Sequence, residues 1–377
     1  MSILDAHAEA LSILDRRART RTLIPRAGHD FASNDYLGLK QAPELRAAVA
    51  DALARGVAIG AGGSRLLRGN DPEHEALESE AAVFFGSESA LWFSTGFAAN
   101  SAIFSTLPAT RDLIVHDALI HASAHEGMRL GRATCVSAPH NDVDGYADAI
   151  RAWRAAGGRG RVWIAVESLY SMDGDRAPLA DLVALAEREE AFLIIDEAHA
   201  TGVFGRDGRG LADGLDGCEY VITLRTCGKA LGCEGALVCL PDILTRILVS
   251  KARGFIFSTA PSPLMAAAVR ASLRLIATQP ERRTRLQALI TASAQIFADR
   301  IGVPASGSQI IPVILGEDAL TMRVAGAIQA RGYDVRGIRP PTVPAGTSRL
   351  RISLTLNVDE AIVRGLADAI VEARAAP

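Results

Sequence analysis

Between about residues 87 and 240 the chain repeats one pattern, a short run that is apolar from end to end followed by a helix-like or loop segment. The runs are ALWFS, DLIVH, VWIAVE, FLIIDEA, YVITL and ALVCL. A strand with one wet face alternates apolar and polar residues, so runs without that alternation suit strands covered on both faces. The expected fold is therefore α/β, a mostly parallel sheet wound with helices. Pro261 and Pro263 then punctuate the chain, and an alanine- and arginine-rich helical stretch continues to about Ile301. IIPVIL, a helix, YDV, LRISLTL and a final helix from Asp359 predict a smaller α+β unit at the end. The expected division is an N-terminal helix and extension over 1–45, a large domain over 46–262 and a small C-terminal domain over 263–377.

In wound sheets, ligands lie outside the carboxyl ends of the strands. FLIIDEAHATG puts Asp196 at such an end, with His199 three residues on. DEAH is also a Mg²⁺-binding box of helicases, but those need a Walker A loop upstream. Here the Gly228-Lys229 pair lies downstream and is followed by Ala230. ALWFSTGFAANSA runs from a strand into Ser94-Thr95-Gly96-Phe97 and a helical pattern, which offers backbone N–H groups to an anion. IGAGGSRLLRGN carries Arg65 where a dinucleotide fingerprint needs its third glycine, so it reads as a flexible loop. His116, His121 and His125 lack the spacing of a zinc site, and no metal is expected. Ser171, Asp173 and Asp175 fall in a glycine-proline turn, ESLYSMDGDRAPL.

TCGKALGCEG sets Lys229 among three glycines, although the 40 Lys and Arg residues include only Lys40, Lys229 and Lys251 as lysines. A guanidinium keeps its proton in a protein, whereas a lysine amine can lose it and attack a carbonyl. A lysine amine, a strand-end carboxylate and an anion-binding helix start together match pyridoxal 5′-phosphate.

Charge narrows the partners. A formal net charge of -3 supplies no field for a polyanion, so nucleic acid is not expected. MSILDAHAEALSILDRRARTR lacks the layout of a signal peptide, and Ile3, His7, Leu11 and Leu14 share one face of an amphipathic helix. No apolar run is long enough to cross a bilayer. Five cysteines with no C-x-x-C argue against a disulfide framework, and a cytoplasmic protein is expected.

The ordered series NDYLGL, GAGGSRLLRGNDPEHEALE, STGF, HAS, ESLYSMDGD, DEAHATGVFGRDGRGL, TCGKALG, FIFSTA and PTVPAGTSRLR resembles the α-oxoamine synthases, which are fold-type I pyridoxal-phosphate enzymes. The resemblance spans about Leu14 to Leu356. It implies a C-acyltransferase that joins an amino acid to an acyl thioester, with loss of CO2 and the thiol. RPPTVPAGTSRLRISLT and the compact ends point within the family to L-alanine and pimeloyl-CoA or a pimeloyl carrier protein, in biotin biosynthesis. The alternative is another member, using glycine or serine. By the resemblance Lys229 carries the cofactor, Asp196 faces its ring nitrogen, His121 stacks on the ring, and His199 and Ser171 lie on its hydroxyl side. Gly96, Phe97 and Thr226 lie at the phosphate, joined by Ser258 of a second subunit, which implies a homodimer. Arg351 would take the amino-acid carboxylate, and Arg21 and Thr342 the acyl substrate. Arg225, just before TCGK, departs from the pattern of the family.

Overall fold

A computed structural model describes residues 2–375. The chain forms two units. One is built from Leu37–Ser171 and Arg176–Arg283, the other from the chain up to Tyr36, the segment Met172–Asp175 and the chain from Thr284 on.

The larger unit holds seven strands: β1 (Ser89–Phe93), β2 (Leu113–Asp117), β3 (Thr134–Ala138), β4 (Val162–Glu167), β5 (Phe192–Asp196), β6 (Val221–Thr226) and β7 (Ala236–Leu240). They lie in the order β1-β7-β6-β5-β4-β2-β3, and only β7 runs against its neighbours β1 and β6. All six expected strands form, and β2, β4 and β7 are buried at every residue, which is why their runs lack alternation. Side chains still alternate between faces. Ile114, Ile194 and Ile222 pack on one side with Phe104 and Leu248, and Leu113, Ile195 and Val221 on the other with Tyr146 and Leu182. The edge strand β3 was not expected, because most of it faces solvent and TCVSA carries no apolar run.

Local signals set the helices against this sheet. Asp71 caps Pro72–Phe85 through a capping box and Gly86, at φ 79, ends it. Thr95 caps Gly96–Thr106 by accepting from the Ala98 N–H. The helix Pro263–Thr278 packs on Pro43–Ala54 and Pro72–Phe85. That packing keeps it with the large unit, whose second segment ends at Arg283 instead of at the expected 262.

The smaller unit contains an antiparallel sheet of β8 (Ile310–Gly316), β9 (Arg336–Ile338) and β10 (Ser348–Ser353), in the order β9-β10-β8. Helices Asp318–Ala330 and Glu360–Ala375 pack together beside it. The N-terminal extension joins this unit: His29–Asp30 pairs with Tyr333–Asp334, and the Leu356 N–H donates to the Tyr36 carbonyl at 3.0 Å. The expected N-terminal region, 1–45, is thus shared between the two units at Tyr36. Its helix, Asp5–Arg16, buries no residue, and Leu11 and Leu14 are exposed. Among the described residues no helix is long and apolar enough to cross a membrane.

Candidate active site

The carboxyl ends of β1, β2, β4, β5 and β6 gather most of the expected residues. Asp196 closes β5, and both its oxygens accept: Oδ2 from Asn100 Nδ2 at 2.8 Å and Oδ1 from the Ala198 N–H at 2.9 Å. Asn100 comes from the helix Gly96–Thr106, so packing of that helix presets the contact. The same amide donates to Ser123 Oγ at 2.9 Å, and Ser123 Oγ lies 2.7 Å from His121 Nδ1. His121 also caps the helix Ala122–Leu130, its ring accepting the Ser123 N–H at 3.2 Å. One hydrogen-bonded chain therefore links the strand-end acid to the expected stacking ring. Burial holds the His121 imidazole below its usual range, with the Asp196 charge pulling it up and Lys229 pushing it down.

Lys229 lies on the loop between the antiparallel strands β6 and β7. The loop is closed by the Cys227 N–H donating to the Gly235 carbonyl at 2.8 Å and the Cys233 N–H to the Cys227 carbonyl at 2.9 Å. Lys229 Nζ meets His199 Nε2 at 2.7 Å, and His199 is buried. The amine thus has an imidazole nitrogen within hydrogen-bond reach, the geometry that proton transfer between them requires.

At the anion end, the helix Gly96–Thr106 presents the first N–H groups of Gly96 and Phe97. A Cβ at Gly96 would lie 3.7 Å from Thr226 Oγ1, so the helix start adjoins the strand that leads to Lys229. Thr226 Oγ1 accepts from the Gly228 N–H at 3.4 Å. These residues fit pyridoxal phosphate: an amine, an acid at a strand end, an imidazole and an open helix N-terminus all lie at one edge of one sheet.

Glu167 is a residue that sequence reasoning missed. It closes β4 in register with Asp196, is buried, and keeps Oε1 without a hydrogen-bond partner. Its carboxyl accepts from the Ser171 backbone, which ties the expected Ser171 into the group. Burial pushes Glu167 well above the usual carboxylate range, and the Asp196 charge pushes it further while Lys229 opposes. The available signal was an acid ending VWIAVE just as Asp196 ends FLIID.

Four expected residues remain. Ser258 follows the short helix Arg253–Ile256 and is exposed, beside Phe257 at 71% exposure. The smaller unit contains the other three. Arg351 is buried on β10 and donates to Asn34 Oδ1 at 2.8 Å, to Tyr36 Oη at 3.4 Å and to Ser353 Oγ. Arg21 Nη2 donates to Thr342 Oγ1 at 3.4 Å, so the two residues expected at the acyl substrate are neighbours.

Comparison with known proteins gives this arrangement its relatives. The family described as aminotransferase class I and II matches residues 28–370. An 8-amino-7-oxononanoate synthase of Anaeromyxobacter dehalogenans is 42% identical, over 97% of this chain and 95% of the relative. One from Mycolicibacterium smegmatis is also 42% identical, over 96% of this chain and 94% of the relative. Among solved structures, the serine palmitoyltransferase of Sphingomonas wittichii superposes with a TM-score of 0.88 at 29% identity, covering 99% of this chain and 98% of that one. The 8-amino-7-oxononanoate synthase of Francisella tularensis gives 0.77 at 28% identity, covering 92% and 97%.

Proposed function

The chain belongs to the class I and II aminotransferase family and is a pyridoxal-phosphate enzyme, and from that premise we propose that it condenses L-alanine with a pimeloyl thioester. The products are 8-amino-7-oxononanoate, CO2 and the free thiol, as in the synthases that it resembles at 42% identity. The acyl carrier is coenzyme A or an acyl-carrier protein, and the product serves biotin biosynthesis in the cytoplasm. The observation that carries the reading is the contact of Lys229 Nζ with His199 Nε2 at 2.7 Å, within one strand-end group that includes Asp196 and His121.

When bound, the cofactor supplies an aldehyde for an amine and a ring that accepts the electrons left by a lost proton or a lost CO2. Lys229 would hold it, and its amine would serve as the base for the Cα proton of the amino acid. His199, against Nζ, accepts or returns that proton. Asp196 would hold a proton on the ring nitrogen, and its two N–H donors keep its oxygens oriented. His121 covers the ring face. Gly96, Phe97 and Thr226 would bind the phosphate, with Ser258 of the partner copy, and Ser171 would serve the ring hydroxyl side. Arg351, whose guanidinium is oriented by Asn34 and Tyr36, grips the amino-acid carboxylate. Arg21 and Thr342 contact the acyl chain. A homodimer would cover the exposed side chains flanking Ser258, among them Phe257, and the loop residue Leu67, which is 85% exposed.

Serine palmitoyltransferases superpose more closely than the Francisella enzyme, at 0.88 against 0.77, which keeps the serine-using reading in view. The identity of 42% against 29% favours the alanine-using one. Thiol release measured with alanine, glycine and serine against pimeloyl-, succinyl- and palmitoyl-CoA decides. Alanine with pimeloyl-CoA is expected to give the highest kcat/KM. Serine with palmitoyl-CoA, or glycine with succinyl-CoA, as the best pair would overturn the substrate assignment.

A further inference from the structure

Arg225 has no solvent exposure, although it carries a charge and precedes the loop of Lys229 on β6. Its guanidinium is shared among several acceptors. Nη2 donates to both oxygens of Asp216, at 2.8 and 3.0 Å, and Nη1 to Glu197 Oε2 at 3.4 Å and to the Arg209 carbonyl. Nε donates to Thr223 Oγ1 at 3.2 Å, and the Phe85 ring centroid lies 4.1 Å away. Asp216 and Glu197 are themselves buried.

Glu197 directly follows Asp196, and its N–H donates to the Leu224 carbonyl at 2.8 Å, extending the pairing of β5 and β6 by one residue. Successive strand side chains point to opposite faces, so Glu197 turns away from the face that Asp196 serves. The Glu197 carbonyl accepts from the Ala200 and Thr201 N–H groups at 3.0 and 2.9 Å, which makes Glu197 the base of the turn bearing His199. Its Oε1 accepts from the Ala212 N–H at 3.2 Å. Space for the ion pair comes from Gly210, at φ +98, where a Cβ would lie 1.5 Å from Glu197 Oε2 and 2.9 Å from Arg225 Nη1.

Lys229 is therefore placed by one end of this link and His199 by the other. We propose that Arg225 is a positioning residue, a buried clamp that sets His199 against Lys229 by holding Glu197 on one nitrogen and Asp216 on the other. A planar fork can fix two carboxylates relative to each other, which a single ammonium does poorly. Burial pushes the Glu197 carboxyl up, and the Arg225 charge opposes that push. The proposal rests on the reading of Lys229 as the cofactor-bearing amine.

Glu197→Gln fills the same volume, weakens the link to the turn and leaves Arg225 paired with Asp216, whereas Arg225→Lys keeps the charge and loses the fork. Two readouts go with them. In cofactor-free protein, limiting acetic anhydride followed by peptide mass spectrometry gives the pH midpoint of Lys229 labelling, with exposed Lys40 and Lys251 as internal references. In the loaded protein, the visible absorbance gives the affinity for pyridoxal phosphate. Both variants are expected to move the Lys229 midpoint by more than about half a pH unit and to weaken cofactor binding roughly tenfold. Variants that fold, as judged by near-UV circular dichroism, and keep the wild-type midpoint and affinity while only the melting temperature falls overturn the clamp. Should one variant fail to fold, the other decides. A wild-type protein without a visible band would sink the cofactor reading, and the labelling of Lys229 would still decide the clamp.

Discussion

Lys229 and Arg225 stand four positions apart, one on the loop that follows β6 and the other on β6 itself, in opposite chemical surroundings. The lysine amine meets an imidazole at 2.7 Å, a neighbour able to take its proton. The arginine meets two buried carboxylates, a hydroxyl, a carbonyl and an aromatic ring, and it keeps its proton whatever the pH. A cation whose work is to change charge is matched with a group that can accept a proton. A cation whose work is to hold a shape is saturated with acceptors. In a chain whose basic residues are almost all arginine, the choice of lysine at 229 marks the place where proton loss matters.

Substitutions test that contrast from both sides. Lys229→Arg retains the charge and removes the reactive amine, so thiol release should fall to the uncatalysed background and the visible Schiff-base absorbance should vanish. Retained turnover with the cofactor bound would break the contrast at its root. Arg225→Met strands Asp216 and Glu197 without their counter-charge, and removing one partner of a buried pair costs about 3–5 kcal/mol. Urea unfolding of the cofactor-free protein should show that loss, and adding Asp216→Leu should recover much of it. Asp196→Asn is the complementary case on the site side: unfolding should change little, while kcat drops by about 10²–10³-fold, since charge preorganised against developing charge is lost.

The smallest expected effect separates Glu167 from Asp196. The folded pKa of Glu167 is raised, so its contribution to stability is full below the unfolded value of about 4.3 and is lost as pH rises toward and through the folded value. Glu167→Gln cannot ionise in either state. The variant should therefore gain stability relative to wild type from mildly acidic to neutral pH, and the difference should close below pH of about 4. Urea midpoints collected against pH would show it, and two parallel curves would mean that Glu167 is charged in the fold.

The large sheet was legible because its strands are buried on both faces, and burial on both faces is written into every letter of DLIVH or ALVCL. The edge strand Thr134–Ala138 was not, since a half-wet edge imposes no such composition. Lys229, Asp196 and His199 stood out through residue type and position in a motif, but their contact is a product of strand order. Glu167 was invisible because one acid at the end of an apolar run looks like a boundary. Arg225 was visible as an oddity, yet its meaning depends on Asp216, Glu197 and Gly210, which are brought together only by the packing of β5 and β6 with the loop between them.

Gly210 makes that dependence a coupling between sequence positions. Because a Cβ there would collide with the Glu197 carboxylate, the side chains at 197, 210, 216 and 225 cannot be exchanged independently. Arginine at 225 is accommodated only with the glycine at 210 in place and an acid at 216 to receive it. The same epistasis applies at the bench. Transplanting the Lys229 hairpin into a related scaffold, or recombining relatives between residues 197 and 225, should succeed only when all four positions travel together.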